Sequence, residues 1–113
     1  MKQQTLITEI VATYQKHGWR LERILLSPKT QANVVGGEID LLEKAPIQES
    51  DIDAMWFSRA SHGKREAWEL RLVADIQYAL FKAFEQSEPE DARAEVRGEM
   101  EARMREYVMS CES

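Results

Sequence analysis

Apolar residues return at spacings of three and four between Thr5 and His17, as Leu6, Ile7, Ile10, Val11 and Tyr14, which predicts a helix with one buried stripe. Lys16 and His17 stand in its last turn, where cations suit the negative end of the helix dipole, and Gly18 follows as a left-handed cap. From Trp19 the pattern alternates and then closes on Ile24-Leu25-Leu26, the form of a strand entering the interior of a sheet. Ser27-Pro28 makes a helix start, with serine as an acceptor for free N–H groups and proline's fixed φ at the first helical position. Ala32, Val35, Ile39 and Leu42 continue a helical spacing, but Gly36-Gly37 interrupts it. A helix from Pro28 that ends near the glycines is expected; its rival is a two-residue turn at Gly36-Gly37 between Asn33-Val34-Val35 and Glu38-Ile39-Asp40-Leu41. Ala45-Pro46 and Gln48-Glu49-Ser50-Asp51 then read as a linker.

Between Asp51 and Ala74 the period changes to two. Ile52, Ala54, Trp56 and Ser58 alternate with Asp53, Met55, Phe57 and Arg59, and Trp68, Leu70 and Leu72 with Ala67, Glu69 and Arg71, which predicts a β-hairpin about Ser61-His62-Gly63. A three-residue turn with Gly63 in the left-handed position places Trp56 opposite Trp68 and Ala54 opposite Leu70 on one face, with Asp53 opposite Arg71 on the other. The same register sets Arg59 against Arg65.

After the hairpin, Asp75 is placed to cap a short helix whose Leu80, Phe81 and Phe84 face the sheet. Ser87-Glu88-Pro89-Glu90 has the capping-box spacing and opens a last helix to about Val108, with Ala92, Val96, Met100, Met104 and Tyr107-Val108 as its narrow apolar stripe. The expected order is therefore helix, strand, helix, strand, strand, helix, helix. This is an α+β domain spanning 1–113, with a small, mainly antiparallel sheet of about three strands (19–26, 52–59 and 66–73) and helices packed on its Trp56/Trp68 face. The opposite face is mixed, with Met55 and Phe57 beside Asp53, Glu69 and Arg71.

Composition narrows the partners. A chain of 113 residues with 43% hydrophobic and 31% charged residues matches a soluble globular protein that carries its own core. The net charge of −5 argues against nucleic acid and anionic lipid as partners of the whole molecule. Much of it comes from the terminal helix, whose acidic side chains form a solvated face. Cys111 has no second cysteine to pair with, and no stretch has the length and apolarity of a leader or a membrane span, so a cytoplasmic location without membrane contact is expected.

The candidate chemistry lies in two places. Gly37-Glu38-Ile39-Asp40-Leu41 resembles a segment of a small family within the PD-(D/E)xK nuclease superfamily, in which the aspartate on a strand is a metal ligand. That resemblance implies metal-dependent phosphodiester cleavage using Glu38 and Asp40. The family follows with Glu-x-Lys on the next strand, whereas here Asp53 to Arg59 has neither element and Glu69-x-Arg71 replaces lysine by arginine. The second place is the hairpin tip. Arg59, His62, Lys64 and Arg65 gather positive charge in a protein acidic elsewhere, and the arginines across from one another suggest an anion-binding site. No metal-ligand spacing, nucleophile elbow or phosphate loop accompanies either, so neither cofactor nor metal is expected. The expected function is a non-enzymatic binding or interaction protein, homodimeric through the mixed sheet face or the terminal helix, that takes a protein partner or a small anionic ligand. The alternative is a metal-dependent nuclease-like enzyme.

Overall fold

The computed structural model describes residues 3–35, 45–74 and 76–112. Helix α1 (Gln3–Lys16) leads into strand β1 (Arg20–Leu26), then helix α2 (Pro28–Val35), strands β2 (Ile47–Glu49), β3 (Ala54–Ala60), β4 (Glu66–Leu72) and β5 (Ala79–Phe84), and helix α3 (Glu90–Glu112). The strands form one mixed sheet in the order β2-β1-β3-β4-β5, with β2 parallel to β1 and the remaining pairs antiparallel. The α+β class agrees with expectation. No helix among the described residues is long and apolar enough to cross a membrane.

Local chemistry explains the well-anticipated elements. Gly18, separated from the end of α1 by His17, takes a φ of 87°, the left-handed cap expected there. Ser27 Oγ accepts the N–H of Thr30 at 3.3 Å, as a helix N-cap does. Asp53 adds to that cap from across the sheet, taking the N–H of Ser27 and the hydroxyl of Thr30, both at 2.7 Å. It ties the start of α2 to the start of β3. Asn33 to Val35 belong to α2, so the rival hairpin strand there is not formed; Gly36-Gly37 itself lies outside the described residues.

Several expectations are corrected. Ala79–Phe84, expected in a helix, form the edge strand β5 instead, because Leu80 pairs with Leu70 and Phe84 with Glu66 on a ladder that β4 already offers; Asp75, the expected cap, lies outside the described residues. The linker contains β2, whose three residues pair with Ile24 to Leu26. The last helix starts at Glu90, three residues after Ser87. The hairpin register is also shifted. Ser61 and Arg65 close the turn through a 2.9 Å backbone bond, and His62-Gly63-Lys64 form the loop, with φ of 66° at Gly63 and 63° at Lys64. The loop thus begins one residue later than a single left-handed glycine would place it. Consequently Trp56 lies opposite Leu70, Ala54 opposite Leu72 and Ser58 opposite Trp68. The loop remains odd in length, so both tryptophans stay on one face, where their rings meet edge-on at 5.9 Å as diagonal neighbours. Asp53 does not face Arg71, whose partner on β3 is Met55.

The largest correction concerns the faces. Helices cover both. On one, α3 buries Met100 and Met104 against Trp56, Leu70, Leu72 and Ile52; on the other, α1 buries Ile7, Ile10 and Val11 against Ile24, Met55 and Phe57. Met55 and Phe57 are fully buried rather than offered to a partner. The α3 stripe is likewise spent on its own sheet.

Candidate functional site

One stripe of α1, comprising Leu6, Glu9, Ile10, Thr13 and Tyr14, stands over β4 and the start of β5, and a cleft of about 690 Å³ opens beneath it, floored by Glu69, Arg71, Gln77 and Ala79. The volume falls within the usual range for small-molecule sites. The part of the sheet beneath the stripe carries charged and small residues rather than large apolar ones that would fill the space. In the ladder, Glu69 sits between Phe57 on β3 and Phe81 on β5, and Arg71 between Met55 and Ala79.

Tyr14 is the hinge of this arrangement. Its ring stacks on Phe57 at 4.1 Å and meets Trp19 edge-on at 5.9 Å, and its hydroxyl donates to Glu69 Oε2. Burial pushes the Tyr14 pKa above the ordinary tyrosine value, and the bond to the Glu69 carboxylate adds to the rise. The phenol is therefore a fixed donor. Arg71 is nine-tenths buried, and its Nη1 donates to the carbonyls of Leu72 at 2.6 Å and Ile76 at 3.2 Å, which braces the turn before β5. Two carboxylates, Glu9 and Glu69, and one guanidinium thus line a half-enclosed space with the hydroxyl of Thr13 and the amide of Gln77. That lining can hold a polar molecule by charge and hydrogen bonds. Among the described residues the cleft lining has no histidine, cysteine or serine.

The residues singled out at the hairpin tip are brought together only in part: His62, Lys64 and Arg65 share the turn, while Arg59 is engaged elsewhere. Arg59 faces Ala67, not Arg65; its Nη1 donates to the carbonyl of His17 at 2.8 Å and its guanidinium lies 4.5 Å from the centre of the Trp19 ring. It caps the carboxyl end of α1, where a cation is favoured. Arg65 pairs with Glu85 at 3.0 Å. His62 and Lys64 are exposed in the loop. Beside them a second cleft of about 480 Å³ is lined by Ser61, Lys64, Arg65, Glu66, Gln86 and Arg93, but Arg93 already bonds Glu66 at 3.2 Å and the carbonyls of Glu85 and Glu88. Like-charge strain between Arg59 and Arg65, the motive for an anion there, is absent from this register.

Glu38 and Asp40 lie outside the described residues. Glu69 and Arg71, the departure from Glu-x-Lys, do share a strand face, yet the first accepts from Tyr14 and the second donates to main-chain carbonyls. Among the described residues no group of three or more histidine, cysteine or carboxylate side chains is arranged to hold a metal ion. Sequence reasoning passed over the cleft, although its signal was visible in the mixed face that carries Glu69 and Arg71 beside Met55 and Phe57. No family model matches the chain, and neither a curated protein nor a solved structure is detectably similar to it.

Proposed function

We propose that this chain is a non-enzymatic binding protein that takes a small dipolar molecule, with a cationic and an anionic group, in the cleft between α1 and β4–β5. The observation that carries the reading is the mixed charge of the cleft lining: Glu9 from α1 above, with Glu69 and Arg71 together on the floor. A ligand that is only an anion meets two carboxylates, and one that is only a cation meets the guanidinium. A zwitterion of amino-acid type satisfies both, and in a half-enclosed site charge-assisted bonds count for more than in open water. Tyr14 holds Glu69 in place, so the acceptor is positioned before the ligand arrives.

The test is a thermal-melting panel of small zwitterions, simple cations, inorganic phosphate and divalent metal ions on the wild type, Glu9→Gln/Glu69→Gln and Lys64→Ala/Arg65→Ala. A rise in melting temperature with zwitterions that disappears in the double glutamine variant, and persists in the tip variant, is expected. A rise with phosphate that disappears only in the tip variant would move the binding site to the hairpin end. Stabilisation by divalent metal that Asp40→Asn removes would instead favour the nuclease-like alternative.

A further inference from the structure

We infer that β5 is a self-complementary edge through which two copies of this chain join their sheets into one, in antiparallel register about Phe81.

In an antiparallel ladder each residue points both its N–H and its C=O towards one neighbour, and successive residues alternate. Asp53 and Val73 are joined by a main-chain bond between β3 and β4, as are Ser61 and Arg65, so odd-numbered residues of β4 bond towards β3. Even-numbered ones bond towards β5, and the N–H of Leu72 donating to the carbonyl of Tyr78 at 3.0 Å agrees. On β5 the even residues Leu80, Lys82 and Phe84 therefore face β4, while Ala79, Phe81 and Ala83 direct their N–H and C=O groups away from the sheet. That edge has no strand beside it among the described residues. The side chains of the same three residues lie on the α1 face, and Phe81 is 60% exposed.

An edge of this kind is a template for another strand, and the side chains decide which strand fits. Two antiparallel registers give the longest self-overlap. Centred on Lys82, the pairing would set two like charges directly against one another, which is destabilising. Centred on Phe81, it sets Phe81 against Phe81, Ala79 against Ala83 and Leu80 against Lys82, with no like charges directly opposed. It also matches the outward groups, since Ala79, Phe81 and Ala83 are the residues that have bonds to exchange. At the centre the two Phe81 residues form a hydrogen-bonded pair with Cα atoms about 5.5 Å apart, and each ring covers the other. The open parts of the two α1 faces then join into one trough between the two α1 helices. Nothing in this depends on the ligand of the cleft, so the two proposals stand or fall separately.

Sedimentation at high micromolar concentration tests it on the wild type, Phe81→Lys, Phe81→Glu and an equal mixture of the two variants. The wild type is expected to be a dimer and each variant a monomer, because the substitution sets like charges against each other across the twofold axis. The mixture is expected to regain the dimer through the opposed charges, a recovery that unfolded variants could not show. Because Phe81 is largely exposed, circular dichroism of each variant should match the wild type. A monomeric wild type, variants that remain dimeric, or a mixture that stays monomeric would each overturn the inference.

Discussion

The two faces of the sheet are covered by helices but finished differently. A helix about 10 Å across spans roughly two strands spaced about 4.8 Å apart, so one helix cannot cover five strands. On the α3 face the shortfall is made up by large side chains: Trp56 and Trp68 meet edge-on, Tyr78 stacks on Tyr107 at 3.7 Å, and the Arg97 guanidinium lies 4.6 Å from the centre of the Trp68 ring. Polar edges there are also matched, since the Trp56 indole N–H donates to Glu101 at 2.8 Å. On the α1 face the β4–β5 end has only Glu69, Arg71, alanines and the exposed Phe81. The α3 face is filled mainly by its own aromatics; the α1 face keeps the larger cleft and the exposed Phe81 beside the β5 edge. The contrast separates what holds the fold together from what remains available to a ligand or a second copy.

The largest effect that would test this division is Trp56→Ala. The side chain is fully buried at the centre of the α3 face, and its loss leaves both a cavity and an unmet Glu101, so a cost of about 3–5 kcal/mol is expected. Phe81→Ala, measured below the concentration at which copies associate, should change stability by no more than about 0.5 kcal/mol. Denaturant titrations of the two variants give the comparison directly. A Phe81 cost near that of Trp56 would mean that the α1 face is closed after all.

Tyr14→Phe is the intermediate case. It keeps the ring on Phe57 and removes only the hydroxyl, so about 1 kcal/mol is expected from the lost bond to Glu69. The pH dependence is more telling. The folded Tyr14 pKa is raised, mainly by burial and then by the Glu69 bond, so the folded state prefers the neutral phenol while the unfolded chain ionises at about 10. The stabilisation is fully present below that pH and is lost as pH rises towards the folded value. Wild-type melting temperature should therefore fall above pH about 10 more steeply than that of Tyr14→Phe. Parallel slopes would show that the phenol is not held as the structure places it.

How much of this could be read from the chain depends on what each feature needed. The cover on both faces had a signal that the one-sided reading missed: Ile24-Leu25-Leu26 and Ala54-Met55-Trp56-Phe57 are continuous runs, all fully buried, and such runs mark strands enclosed on two sides. Alternation alone hides this, because it hands every second residue to solvent. Strand β5 was much less legible. Leu80, Phe81 and Phe84 satisfy a helical spacing, and Ala79 to Phe84 contains no β-branched residue; pairing with β4 overrides that local preference. The three residues of β2 lie in a polar stretch after Pro46 and exist only because β1 has a free edge. For the hairpin, parity was legible and register was not, since Lys64 accepts a left-handed φ of 63° that the sequence would assign to Gly63 alone. The cleft residues Glu69 and Arg71 stood out as charges on an otherwise apolar face. Their joining to Tyr14 required knowing where α1 lies.

The smallest expected effect sharpens the account of the closed face at its rim. Arg105 of α3 donates to Asp51 at 2.6 Å, joining the end of the aromatic-lined face to the segment before β3. The bond from Arg105 holds the Asp51 carboxyl below the ordinary aspartate value, so the pair stabilises the fold above the unfolded pKa of 3.8 and loses its contribution as pH falls through the folded value. The Asp51 side chain is 65% exposed, however, and solvent screening reduces such a pair to at most a few tenths of a kcal/mol. Asp51→Asn should accordingly leave stability at neutral pH almost unchanged, and added salt should erase the remaining difference from the wild type. The variant should differ from the wild type least in acid, where the wild-type carboxyl is itself protonated. A loss comparable to that of Tyr14→Phe would instead show that α3 is held at its end by charge as much as by the Met100 and Met104 stripe, and that the closed face depends on its rim.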